Sequence, residues 1–166
     1  PTTSAVRRYL AEFLGDHRVV EIPRPIWWLI LHGVILRTRP AQSAAKYASV
    51  WTKEGSPLAV WTHKQALMLQ GWLAQRGQNT KVFPAMRYGN PSIPSQLDAI
   101  KAQGIQHILV VTAYPQYSAT TVASVFDAIY TWSQRQRVIP EFRFINQYHD
   151  HPAYIAALAS RINRYW

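Results

Sequence analysis

The run His107-Ile108-Leu109-Val110-Val111-Thr112 constrains this chain more than any other segment. It is a short, nearly unbroken apolar stretch, the pattern of a buried strand in a parallel sheet. A helix-forming stretch closed by Gly104 precedes it, and another, from Ser118 to about Arg137, follows it. Between strand and second helix lies Ala113-Tyr114-Pro115-Gln116-Tyr117-Ser118-Ala119-Thr120-Thr121. Open α/β folds bind ligands beyond the carboxyl end of a strand, just ahead of the next helix. Two tyrosines and a hydroxyl cluster at such a place suit a flat, largely apolar ligand with polar edges.

The surrounding pattern extends this unit. Thr80-Lys81-Val82-Phe83-Pro84-Ala85-Met86 reads as a strand weakened by its proline, Arg87 to Pro94 as a loop, and Ser95 to about Gln103 as a helix. Glu141 to Ile145 alternates as a third strand, and Tyr148 to Pro152 turns into a last helix ending near Trp166. Strand–helix–strand–helix–strand–helix predicts an α/β fold, a parallel sheet flanked by helices on both faces.

The first half is helical. Thr2, Thr3 or Ser4 can cap a helix in which Val6, Tyr9, Leu10, Phe13 and Leu14 recur at helical spacing until Gly15. Ile22-Pro23-Arg24-Pro25 is a break before the double-tryptophan segment 26–36. The next helix is expected from Pro40 or Ser43 to about Trp51, and Ser56, with Pro57 behind it, is expected to cap one running to about Gln75. A chain opening directly on a helix reads as a sheet lacking its first strand.

Segment 26–36 is shorter than the roughly 18 apolar residues that span a bilayer, and with Arg24, Arg37 and Arg39 bracketing it, it reads as a greasy lip with a cationic edge or as a core-packed helix with solvated ends. The first residues do not read as a signal peptide. With no cysteine, disulfides, thiolate-bound zinc and a cysteine-ligated cluster are excluded. The formal charge of +10 leaves nucleic acid, an anionic membrane or a small anion open. Its cations are scattered in ones and twos, the pattern of a solvated surface, so no nucleic-acid partner is expected. The 13% aromatic content fits a heavy core or a site for a ring system.

Candidate site residues follow from position. Tyr114 and Tyr117 line a pocket or cover the sheet edge. Ser118 is an N-cap whose helix terminus also favours an anion. Arg87-Tyr88-Gly89 opens onto the rim, where Arg87 pairs a ligand carboxylate or stays an exposed charge. His149 and His151 have metal-ligand spacing but no third ligand nearby, and His151 or Asp150 reads better as a cap. No nucleophile elbow, phosphate loop or dinucleotide fingerprint occurs.

These blocks resemble the N-terminal half of bacterial ferrochelatases. The resemblance runs through Arg7-Arg8-Tyr9-Leu10, Val19-Val20, Trp27-Trp28, Gly33-Val34-Ile35-Leu36 and Tyr47-Ala48-Ser49-Val50-Trp51. It continues with Gly55-Ser56-Pro57, Arg87-Tyr88-Gly89, Tyr114-Pro115-Gln116-Tyr117-Ser118 and Tyr148 to Ile155. The resemblance implies one of two similar chelatase-type domains and insertion of ferrous iron into protoporphyrin IX. It implies that segment 26–36 is the active-site lip, associated with porphyrin uptake and peripheral membrane contact in a cytoplasmic enzyme. It also implies porphyrin contacts at Arg37 or Arg39, Tyr47 and Ser56, and pocket positions at Arg87, Tyr88 and Tyr114.

The family's catalytic histidine lies in a Ser-x-His-Gly-x-Pro type motif, with a glutamate further on, and neither occurs among these 166 residues. The opening strand with its Asn-Leu-Gly-Thr-Pro-Asp type turn is absent too. Ala119 stands where some members carry a cluster-ligating cysteine, so no iron–sulfur cluster is expected. The chain thus reads as a fragment, residues 1–166 of an N-terminal domain, inactive alone. The alternatives are a non-catalytic tetrapyrrole-binding protein and a coproporphyrin ferrochelatase.

Overall fold

A computed structural model describes all residues from Pro1 to Trp166. The chain forms two compact units, Pro1–Gln96 and Leu97–Trp166.

In the first unit, α1 spans Thr3–Gly15, and Thr2 caps it by accepting from the Ala5 N–H at 3.2 Å. From Arg24 to Val50 the chain is helical without a break: α2 (Arg24–Ile30), a π-helical turn (Leu31–Ile35) and α3 (Leu36–Val50). A helix starting only at Pro40 or Ser43 is therefore corrected, since Pro40 lies inside α3. The reason is a buried stripe. Leu31, Leu36, Pro40 and Ala44 are all buried, and α3 packs on α1. The step of five from Leu31 to Leu36 crosses the π turn, and the following steps of four are ordinary helix. The wide turn re-phases the apolar segment onto one seam, and burying that seam outweighs the hydrogen bond that Pro40 cannot donate.

Ser56 stands at the N-cap of α4 (Pro57–Gln75), but its side chain makes no capping bond. The strand expected at 80–86 does not form: Met86 makes an isolated bridge to Ser92 and nothing more. Pro84 has no N–H to give a ladder, and part of the segment's backbone pairing is met by a side chain instead. The Gln70 amide donates to Thr80 O and accepts from the Val82 N–H, each at 2.6 Å, as the backbone of a parallel neighbour would. With no strand beside it, α4 buries none of its residues.

The second unit carries the α/β element. After α5 (Ile93–Ala102), β1 (His107–Val111) pairs in parallel with β2 (Glu141–Ile145), His107 opposite Glu141 and Val111 opposite Ile145. The sheet has two strands rather than three. The crossover is a π-helical turn (Ala119–Ala123) running into α6 (Ser124–Ser133), which ends earlier than Arg137. Alternation puts Ile108, Val110, Phe142 and Phe144 on one sheet face. Phe144 meets Phe126 at 4.5 Å and Tyr130 at 5.5 Å, and Trp132 meets Phe142 at 6.4 Å. Val122, Phe126, Ile129 and Trp132 are buried, forming this unit's core. The Trp132 indole N–H donates to Asp98 at 2.8 Å. On the other sheet face Leu109 and Val111 are exposed. There Glu141 bonds His107 and Arg143, which hold its carboxyl below the usual range. Helix α7 (Pro152–Ile162) is capped by His151, whose Nδ1 accepts from the Ala153 N–H at 3.2 Å.

Candidate functional site

In the first unit the site is organised by a residue the sequence did not single out. Asp16 follows α1, and its side chain is only 3% exposed. One carboxylate oxygen accepts from Arg87 Nη2 at 2.6 Å and from the Tyr88 hydroxyl at 2.9 Å. The other accepts from the Arg18 N–H at 2.8 Å. A buried carboxylate is costly unless paired and hydrogen-bonded, and here three donors surround it. Arg87 is therefore neither an exposed charge nor an uncommitted partner for a ligand carboxylate. Its guanidinium carbon also lies 4.6 Å from the centre of the Tyr88 ring.

The same turn is held twice more. The Gly89 N–H donates to Glu12 at 2.9 Å, and the Met86 N–H donates to Pro91 O at 2.7 Å. Gly89 has φ +86, a left-handed conformation that suits glycine. The Asn90–Pro91 peptide is cis.

Around Tyr88 the aromatic rings converge. Phe13 meets Tyr88 edge to face at 5.3 Å, Tyr9 meets Tyr88 at 6.4 Å, and Tyr47 meets Tyr9 at 6.1 Å. Two expected site residues, Tyr47 and Tyr88, are thus drawn together by Tyr9, at distances where edge-to-face pairs attract. Arg37 and Arg39 are exposed on α3, outside this network, and Ser56 is half-buried at the start of α4. Ile26, Trp28, Leu29 and Val34 of the double-tryptophan segment are exposed, whereas Trp27 turns inward and donates its indole N–H to Leu14 O at 2.6 Å.

In the second unit the loop after β1 is held by Tyr148, also not singled out individually. The Tyr148 N–H donates to Pro115 O at 2.9 Å, and its hydroxyl donates to Thr112 O at 3.0 Å. Thr112 in turn donates to Tyr114 O at 3.2 Å. Burial, and to a lesser degree Tyr154, pushes the Tyr148 pKa above its ordinary 10.0. The loop's own rings stay available: Tyr114 is 46% and Tyr117 51% exposed. Ser118 occupies the N-cap position, but its hydroxyl pairs with Thr120 at 2.9 Å instead of bonding the helix backbone. The first turn is π-helical, which replaces the geometry a side-chain cap requires.

The ferrochelatase family model matches residues 1–166. The chain is 68% identical over 166 residues to a ferrochelatase of Polaromonas sp., covering all of itself and 45% of that protein. It is 62% identical to a ferrochelatase of Methylibium petroleiphilum, covering 46% of it, and 58% identical to one of Janthinobacterium sp., covering 45%. It spans a little under half the length of these curated relatives. The chain belongs to the ferrochelatase family.

Proposed function

We propose that this chain supplies the lip and one wall of the porphyrin pocket of an enzyme that inserts ferrous iron into protoporphyrin IX, forming protohaem in haem biosynthesis. The observation that carries the reading is the family match over all 166 residues. The geometry supports it. Tyr47 and Tyr88 form part of an aromatic cluster braced by Asp16, and Tyr114 and Ser118 sit on a loop braced by Tyr148.

Iron entering the macrocycle displaces two pyrrole protons, so a base must act beside the ring. Tyrosine and arginine are poor bases near neutral pH. The work of each of Tyr47, Tyr88 and Tyr114 is therefore to contact a flat ring, not to take its protons. Holding that ring away from planarity exposes its nitrogens, with the strain supplied by contacts remote from the metal. Arg37 and Arg39 are exposed and suit the propionates. Arg87, already neutralised by Asp16, shapes the wall.

The lip, 26–36, contacts the membrane peripherally, on the cytoplasmic side. Its exposed Ile26, Trp28, Leu29 and Val34 suit an interface, and no helix of the chain is long and apolar enough to cross a bilayer. The test is anaerobic incubation of the purified chain with protoporphyrin IX and ferrous iron. The expected result is a perturbed Soret band without the absorbance of protohaem. Protohaem formation by this chain alone would contradict the assignment of the base elsewhere, and an unchanged Soret band would contradict porphyrin binding.

A further inference from the structure

Helix α4 has two sides of opposite character. Ala59, Thr62, Ala66, Gln70 and Leu73 recur at steps of three and four and are half-buried. Gln70 ties this side to the backbone of Thr80 and Val82. Two positions beyond each of the first four stand Trp61, Lys64, Met68 and Trp72, all exposed. Two positions turn a helix by about 200°, so these four point away from the packed side. A neighbour that completed the packed side would still leave this stripe on the far side of α4.

The outward stripe is apolar, with a cation at each indole. Trp61 is 60%, Met68 62% and Trp72 49% exposed, and Leu58 and Leu69 beside them are exposed too. Lys64 Nζ lies 5.5 Å from the centre of the Trp61 ring, and the Arg76 guanidinium carbon 3.5 Å from that of Trp72. No aspartate or glutamate occurs from Pro57 to Arg76. Glu54, ahead of the helix, pairs with Lys64 at 2.9 Å. Tryptophan favours the boundary between membrane and water, and long cations lie along apolar surface while their charges reach an anionic headgroup. A second copy seated on the same stripe would set these cations against their like.

We propose that the outward stripe of α4 docks on an anionic lipid bilayer. Trp61, Met68 and Trp72 enter the interface, and Lys64 and Arg76 meet the headgroups. This surface is separate from the membrane contact assigned to segment 26–36 and involves none of its residues.

The test is co-sedimentation of the whole chain with vesicles of phosphatidylcholine alone or mixed in equal parts with phosphatidylserine. Wild type is expected to bind the mixed vesicles more tightly, and less so as salt is raised. Trp61→Ser with Trp72→Ser weakens that binding about tenfold, in wild type and in Trp28→Ser alike, through lost apolar burial. Lys64→Gln with Arg76→Gln lowers the preference for phosphatidylserine about tenfold. Unchanged binding in the Trp61 and Trp72 double variant would overturn the proposal. So would equal affinity of wild type for both vesicles, or loss of all binding in Trp28→Ser, which would leave segment 26–36 as the whole contact. A lipid-free dimer in analytical ultracentrifugation that the double variant abolishes would also overturn it, giving the stripe to a second copy.

Discussion

Two turns, one in each unit, carry candidate site residues, and they are held by opposite means. The Arg87–Pro91 turn is fixed by a buried carboxylate, Asp16, that draws in a guanidinium, a phenol and a backbone N–H. The Thr112–Ser118 loop is fixed by a neutral phenol, Tyr148, through one side-chain and one backbone hydrogen bond. The first lock is strong but unforgiving, since removing either charge leaves the other stranded. The second is weaker, and leaves Tyr114 and Tyr117 about half exposed. One turn is thereby a rigid backing for the aromatic cluster, and the other leaves its rings exposed.

The largest effect should come from breaking the charged lock. Asp16→Ala is expected to cost about 3 kcal/mol in urea unfolding, the low end for stripping one partner from a buried pair. The low end applies because the Arg87 side chain keeps 27% exposure. A double variant, Asp16→Ala with Arg87→Met, should recover part of that loss, giving a coupling energy of at least about 1 kcal/mol in the cycle. Simple additivity would remove the distinction between the two turns.

The neutral clamp should matter less. Tyr148→Phe is expected to cost about 1 kcal/mol, one hydrogen bond to a carbonyl. A loss as large as that of Asp16→Ala would mean the two locks are equivalent.

The smallest effect is a pH dependence confined to the second turn. Because the folded-state pKa of Tyr148 is raised above 10.0, the unfolded chain loses this proton first. The phenol's contribution is therefore complete below pH 10 and is lost as pH rises through the folded value. The stability difference between wild type and Tyr148→Phe should be flat below pH 10 and shrink above it. A difference that shrinks on acidification instead would assign the effect to another group.

How much of this is legible in the sequence depends on distance along the chain. The strand–loop–helix unit from His107 to Ser133 is local, and its apolar run, aromatic loop and helix follow one another in order. Arg87 and Tyr88 are legible as candidate site residues because they follow an apolar stretch. Asp16 is not, because beside Gly15 it looks like an ordinary helix end, and its partner Arg87 is 71 residues away. The helix through Pro40 is hidden for a different reason. A proline usually ends a helical pattern, and only the buried stripe stepped by a π turn shows that it continues. The 80–86 run has strand composition, but a strand requires a neighbour, and composition does not reveal that Gln70 takes that place. The family resemblance, by contrast, rests on short blocks in a fixed order, which survive whatever the backbone does between them.

The central claim is that the charge-locked turn and the tyrosine-bearing loop each carry side chains that bind porphyrin. Titrating protoporphyrin IX into wild type, Asp16→Asn and Tyr114→Ala, with Soret absorbance as readout, tests it most directly. Saturable binding to wild type is expected, weakened about tenfold in each variant, the scale of one lost or misplaced aromatic contact. Equal affinity in all three proteins would contradict the account.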